Sequence, residues 1–183
     1  GTVNWTYGAG AGNGGNITTA HSGTVNARHF GSGTGSVARL ISPALNFSTM
    51  PAQGAQVTFW YANQNWLGDQ NQLRVYYKTS AAGAWTLIPG AVYTTDVSAW
   101  TEVELPLPAS AGPTDYYIAF EGTELFGWGV AVDDVTFAAA PTCPKPTEVT
   151  AIDTSPTTAM VSFTPPATGP TVGYIVEYEN PGF

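Results

Sequence analysis

The amino-acid sequence predicts an all-β chain built on a β-sandwich, and three observations carry that expectation. Gly or Pro interrupts nearly every window of about 11 residues, so no segment keeps a helical repeat. Short runs alternate apolar and polar side chains instead, as half-buried strands do. Only 10% of residues are charged while 13% are aromatic. Solubility therefore rests on neutral polar groups and turns, and the aromatic content is too high for a disordered chain. At 183 residues there is room for one ordinary domain plus a fragment, or for two small ones.

Taken in order, the elements begin with a glycine-rich run, GAGAGNGGN at 8–16. It lacks the Lys-Ser/Thr of a phosphate-binding loop and leads into no helical pattern, so it reads as a flexible or irregular leading segment. Strand-like runs follow at 24–30, 36–42, 55–62, 72–79, 84–88, 100–105, 115–121 and 129–137. Leu73, Val75 and Tyr77 share one face and Arg74, Tyr76 and Lys78 the other; Tyr116, Ile118 and Phe120 likewise oppose Tyr117, Ala119 and Glu121. Many short alternating strands divided by polar turns make a sandwich.

The stretch 120–137, FEGTELFGWGVAVDDVTF, is the most informative. Val130 and Val132 share one strand face, whereas Val135 and Phe137 have the opposite parity. Both pairs reach one core only if the chain slips by one residue, which a β-bulge at Asp133–Asp134 would provide. Unpaired backbone groups beside two carboxylates suit a hard cation such as Ca²⁺, which takes oxygen ligands. The alternative is a central strand buried on both faces, with the acids merely ending it.

After Phe137 the composition shifts. AAAPTCPKP at 138–146 reads as a linker between a first domain at 1–137 and a second unit at 147–183. Strands are expected there at 148–153, 158–164 and 173–179, too few for a closed sandwich, so the second unit reads as incomplete and the chain as a piece of something longer.

Charge and motifs exclude several functions. The net charge is −8, and residues 1–68 carry Arg28 and Arg39 but no acid, while all 13 carboxylates lie from Asp69 onward. Nucleic acid and anionic membranes are poor partners for such a chain, since both need clustered Lys and Arg. Divalent cations and neutral glycans remain compatible. The one cysteine, Cys143, sits among prolines, cannot form an internal disulfide and has no neighbouring base. His21 and His29 lack a zinc-ligand motif, and no Gly-x-Ser-x-Gly elbow is present. Glu102 and Glu104 point the same way on one strand, but Pro106 and Pro108 follow where a glycosidase strand would continue, so they read as a solvated edge. Trp66, in NQNWLGDQNQ, is expected on a hairpin tip among amides, and Phe126 and Trp128 lie in the loop before the last strand. Exposed rings beside amides stack on sugars and bond their hydroxyls; the alternative is that the rings fold back to cap the sandwich.

The ordered set Ser42-Pro43, Phe59-Trp60-Tyr61, Trp85, Trp100, Phe120-Glu121-Gly122 and Gly129 through Val135 resembles the MAM domain and the bacterial cleaved-adhesin, or choice-of-anchor, jelly rolls. The resemblance covers roughly residues 20–137 and implies a jelly-roll β-sandwich; the absence of cysteines there favours the bacterial relatives. It also implies a structural Ca²⁺ held by the final-strand acids, here Asp133 with Asp134 next in line, helped by carbonyls or Asn and Thr oxygens around 13–18. The tail from Cys143 resembles the first half of a fibronectin type III domain, with Phe163 in the strand-B position usually held by Trp and Tyr174 in strand C.

The resulting expectation is a non-catalytic binding or adhesion module of a secreted or cell-surface multidomain bacterial protein. It would be stabilised by Ca²⁺, with Trp66 and Trp128 contacting an extracellular glycan or protein and with neighbouring domains of the parent chain as further partners. No nucleic acid and no membrane insertion are expected. The rival expectations are an accessory module of a secreted protease or glycanase, and a stalk that binds nothing.

Overall fold

A computed structural model describes residues 3–31, 35–152, 155, 158–165 and 173–175. The chain divides after Ala140 into two units. The first contains β1 (Thr6–Gly8), β2 (Asn26–His29), β3 (Ser36–Ile41), β4 (Ala55–Asn63), β5 (Gln72–Lys78), β6 (Thr86–Tyr93), β7 (Val97–Pro106), β8 (Tyr117–Glu124) and β9 (Val130–Ala139). They form two antiparallel sheets, ordered β1-β2-β9-β4-β7 and β3-β8-β5-β6. Neighbours distant in sequence, such as β2 with β9 and β3 with β8, give the all-β, jelly-roll type of sandwich that was expected.

Alternation in the sequence places the core. Val57, Phe59 and Tyr61 on β4 face Leu73 and Val75 on β5 and Ile118 and Phe120 on β8, all buried. A smaller cluster lies on the other side of the five-stranded sheet, where Ala11 and Ile17 of the leading segment cover Ala62 and Ala131. Residues Val130 to Val132 are therefore buried on both faces.

The parity slip is also present, one residue beyond its expected place. Thr58 pairs with Thr136 and Trp60 with Asp133, so Asp134 and Val135 together oppose Phe59. Asp134 takes φ 48°, the left-handed conformation that lets one strand absorb an extra residue. Phe137 returns to the core face opposite Val57. Val135 remains 38% exposed, because β2 pairs only with residues 130–132 and β9 is an edge beyond them.

Three boundaries differ from the sequence-based expectation. β1 has no apolar alternation; backbone pairing to β2 makes it a strand. β6 passes through Pro89-Gly90, and the irregularity there turns both Ile88 and Ala91 inward. β9 continues past Phe137, pairing Ala138 with Gln56 and Ala139 with Ala55, since ladder bonds do not depend on side-chain type.

In the second unit, β10 (Thr147–Ile152) and β11 (Met160–Thr164) pair antiparallel. The rings of Phe163 and Tyr174 meet edge to face at 4.8 Å. Gly173 to Ile175 are not in a strand, and the remainder of the run expected at 173–179 lies outside the described residues. Among the described residues, no helix is long and apolar enough to cross a membrane.

Candidate functional site

The expected hairpin at Trp66 is instead a connection between the two sheets, from β4 to β5, and it contains a tight turn. Trp66 N–H donates to Asp69 O and Asp69 N–H to Trp66 O, both at 2.9 Å, with Leu67 and Gly68 at positive φ between them. Such a turn needs left-handed residues at its two central positions, and it holds Trp66 at the tip, 41% exposed. Trp128 comes from the loop before β9. Its N–H donates to Gln64 O at 3.1 Å, and its carbonyl accepts from Asn13 N–H at 3.2 Å.

The glycine-rich leading segment, expected to be flexible or irregular, is irregular but held. Ala11 N–H donates to Ile17 O at 3.0 Å and Gly10 N–H to Asn26 Oδ1 at 2.7 Å. It lies against Trp128: a Cβ on Gly15, at φ +78°, would stand 2.9 Å from the indole Cγ. Only glycine allows both that backbone and that approach.

Trp66 and Trp128, both foreseen as candidate ligand contacts, are thereby brought together. Their ring centroids lie 5.8 Å apart at 48°. With Phe126, Asn13, Gly31 and Gly127 they line a concavity of 340 Å³. Asn13 was missed as a lining residue; the NGGN pattern, glycines beside an amide, is the trace of it in the sequence. Its Nδ2 donates to Gly31 O at 3.0 Å.

Buried polar groups set the floor. Asn71 Oδ1 accepts from Leu125 N–H at 2.6 Å and Gly127 N–H at 3.0 Å. Glu124 Oε1 accepts from Phe126 N–H at 2.8 Å. Phe126 itself is fixed at φ 64°. Burial pushes the Glu124 carboxyl above its ordinary value, and the Phe126 bond opposes this only in part.

Asp133 and Asp134, the acids expected to hold Ca²⁺, hydrogen-bond the segment at residues 21–22. Asp133 Oδ2 accepts the backbone N–H of His21 at 3.0 Å and of Ser22 at 3.2 Å, and its Oδ1 accepts Asp134 N–H at 2.9 Å. Asp134 receives Ser22 Oγ on Oδ1 at 2.5 Å and His21 Nδ1 on Oδ2 at 2.6 Å. All four carboxylate oxygens thus face hydrogen-bond donors. Among the described residues, no group of three or more His, Cys, Asp or Glu side chains is placed to hold a metal ion. Together these bonds form a latch between β9 and residues 21–22. The His21 ring completes it by stacking on Trp60 at 3.8 Å and 13°.

The remaining candidates separate. His29 is buried in the core with Nε2 3.2 Å from Val3 O, and burial lowers its pKa. Glu102 and Glu104 are exposed on the edge strand β7. Cys143 is exposed.

Comparison with known proteins places this geometry. No curated protein sequence matches the chain. Among solved structures, it is similar to the K1 cleaved adhesin domain of Lys-gingipain (Kgp) from Porphyromonas gingivalis, at 23% identity over 76% of this chain and 85% of that one, with a TM-score of 0.48. The K2 cleaved adhesin domain of Lys-gingipain matches at 21% identity over 74% of this chain and 83% of that one, with a TM-score of 0.51. The enzymatically active domain of bacteriophage CBA120 tailspike protein 4 matches at 15% identity over 76% of this chain but 18% of that one, with a TM-score of 0.50. The last two likenesses are of fold. Residues 4–144 match the MAM domain family, meprin/A5/mu, so the first unit and the start of the segment after it belong to a chain that is a member of the MAM family.

Proposed function

We propose that this MAM domain is a non-catalytic recognition module of a secreted or cell-surface protein, binding a neutral saccharide in the Trp66–Trp128 concavity. The observation that carries the reading is the convergence of two indole rings, 5.8 Å apart, beside the Asn13 amide. A sugar offers an apolar C–H face to such rings and hydroxyls to such an amide. At 340 Å³ the concavity is near the small end of ligand sites, which run from about 300 to 1,000 Å³. It therefore suits the end of a glycan better than a long chain. None of the described residues lining it carries an acid, base or nucleophile, which favours binding over catalysis. The K2 domain, alike in fold, is by name an adhesin domain, in keeping with a binding role here.

Glycan-array binding by the whole chain tests the reading. The wild type is expected to retain a subset of neutral glycans, and Trp66→Ala to lose them. Because Trp66 is 41% exposed, the truncation opens no core. Absence of binding across a broad neutral panel, or full retention by Trp66→Ala, would overturn it.

A further inference from the structure

The outward face of the four-stranded sheet is chemically unlike the rest of the chain. Leu73 and Val75 point into the core, so Arg74, Tyr76 and Lys78 project from the opposite face of β5. The register sets Arg39, Glu121, Arg74 and Val92 in one row across β3, β8, β5 and β6. Arg39, Arg74 and Lys78 are three of the five Lys and Arg in a chain of net charge −8.

These cations are not equivalent. Arg39 is committed to Glu121, with Nε at 2.8 Å and Nη2 at 2.7 Å from Oε2, while Tyr76 OH donates to Oε1 at 3.1 Å. Lys78 Nζ donates to Ala81 O at 2.5 Å and lies 5.0 Å from the Trp85 ring centroid and 4.7 Å from that of Tyr117. Arg74 makes no hydrogen bond, ion pair or ring contact among the described residues, although it stands opposite Glu121. Glu121 is already neutralised by Arg39 and is 9% exposed, so it does not compete for the Arg74 fork. The neighbouring rings are held in place: Arg39 sits 4.7 Å from the Tyr76 centroid and 5.7 Å from that of Trp85.

We propose that this face is a second binding surface, which takes a glycan bearing isolated carboxylates, a uronic-acid saccharide, with the carboxylate on Arg74 and the sugar against the adjoining aromatic rings. A guanidinium matches a carboxylate with two parallel bonds, and the rings receive the C–H face of the pyranose. A polysulfated chain is disfavoured, since it needs several unpaired cations and the other two are engaged. The overall negative charge also repels a dense polyanion at long range, leaving short-range contact to select the ligand.

Calorimetric titration of the whole chain with a galacturonic acid oligosaccharide and with its methyl ester, at about 0.15 M ionic strength, tests the surface. The acid is expected to bind at least about tenfold more tightly than the ester, the ratio for one lost charged contact of about 1.4 kcal/mol. Arg74→Gln should reduce the acid to the level of the ester, and Trp66→Ala should leave acid binding unchanged. The ester arm uses the unmodified protein, so it holds even if the Arg74 variant folds poorly. Equal affinity for acid and ester, undiminished binding by Arg74→Gln, or loss of acid binding in Trp66→Ala would overturn the proposal. So would equal competition by polyglutamate, which would mean that charge alone suffices. None of these outcomes bears on neutral glycans at the concavity.

Discussion

Glu124 shows how one residue ties stability to the candidate site. Its side chain is wholly buried, one oxygen accepts the Phe126 N–H, and Oε2 has no partner among the described residues. An unsatisfied buried carboxylate is costly, so the folded state favours the protonated form and the pKa is raised by burial. The folded value exceeds the unfolded one, so native Glu124 holds its proton more tightly. Its contribution is therefore fully present below the ordinary carboxyl range and is lost as pH rises through the raised value. Glu124→Gln keeps an acceptor for Phe126 and removes the ionisation. It is expected to stabilise the first unit at pH 7, by on the order of 1 kcal/mol, and to change little at pH 4. Thermal melts of both proteins at the two pH values check this. Nothing in TEL at 123–125 announces a buried acid, because its burial is created by β3 and β5 pairing on either side of β8.

Among the elements, the bulge in β9 was legible and its purpose was not. The change of side-chain parity between Val132 and Phe137 requires an inserted residue whatever the partner strand. What the aspartates beside it hold depends on residues more than a hundred positions away, since Asp133 and Asp134 receive His21 and Ser22. Hydrogen bonds from His21 and Ser22 also keep the Asp134 carboxyl below its ordinary value. With the folded value depressed, that contribution is present above the unfolded pKa and is lost as pH falls through the folded one. Asp133→Ala removes the acceptor for three backbone N–H groups and is expected to lower the melting temperature by several degrees. Chelator and added Ca²⁺ should leave the wild-type melt unmoved. A Ca²⁺-dependent rise in melting temperature that Asp133→Ala abolishes would restore the cation reading.

At the scale of the molecule, the first unit has its own closed core, from Phe47 through Val132, and its last strand ends with Ala140 N–H donating to Gly54 O at 2.9 Å. A domain of about 140 residues buries roughly two-thirds of its surface and needs no staple. A chain ending at Ala140 is therefore expected to melt at the temperature of the first unit in the whole chain, within experimental error. A marked fall, seen by circular dichroism, would show that the second unit contributes to that core. Asp133 and Glu102 flank Trp60 in one row of the five-stranded sheet, while Arg39, Arg74 and Lys78 occupy the outer face of the other.

Alternation and turn chemistry are local properties, and from them the sequence alone determined the all-β class, most of the strands, the bulge and the turn at Trp66. Strand order is not local. Only the tertiary structure decided that Trp66 and Trp128, 62 positions apart in the chain, share one concavity and that a glycine-rich segment seats one of them. It also decided that the aspartates meet a histidine and a serine from the leading segment. The physical reason is that a side chain's chemistry is set by its neighbours, and in a jelly roll the neighbours come from pairings such as β2 with β9, which no window of the sequence contains.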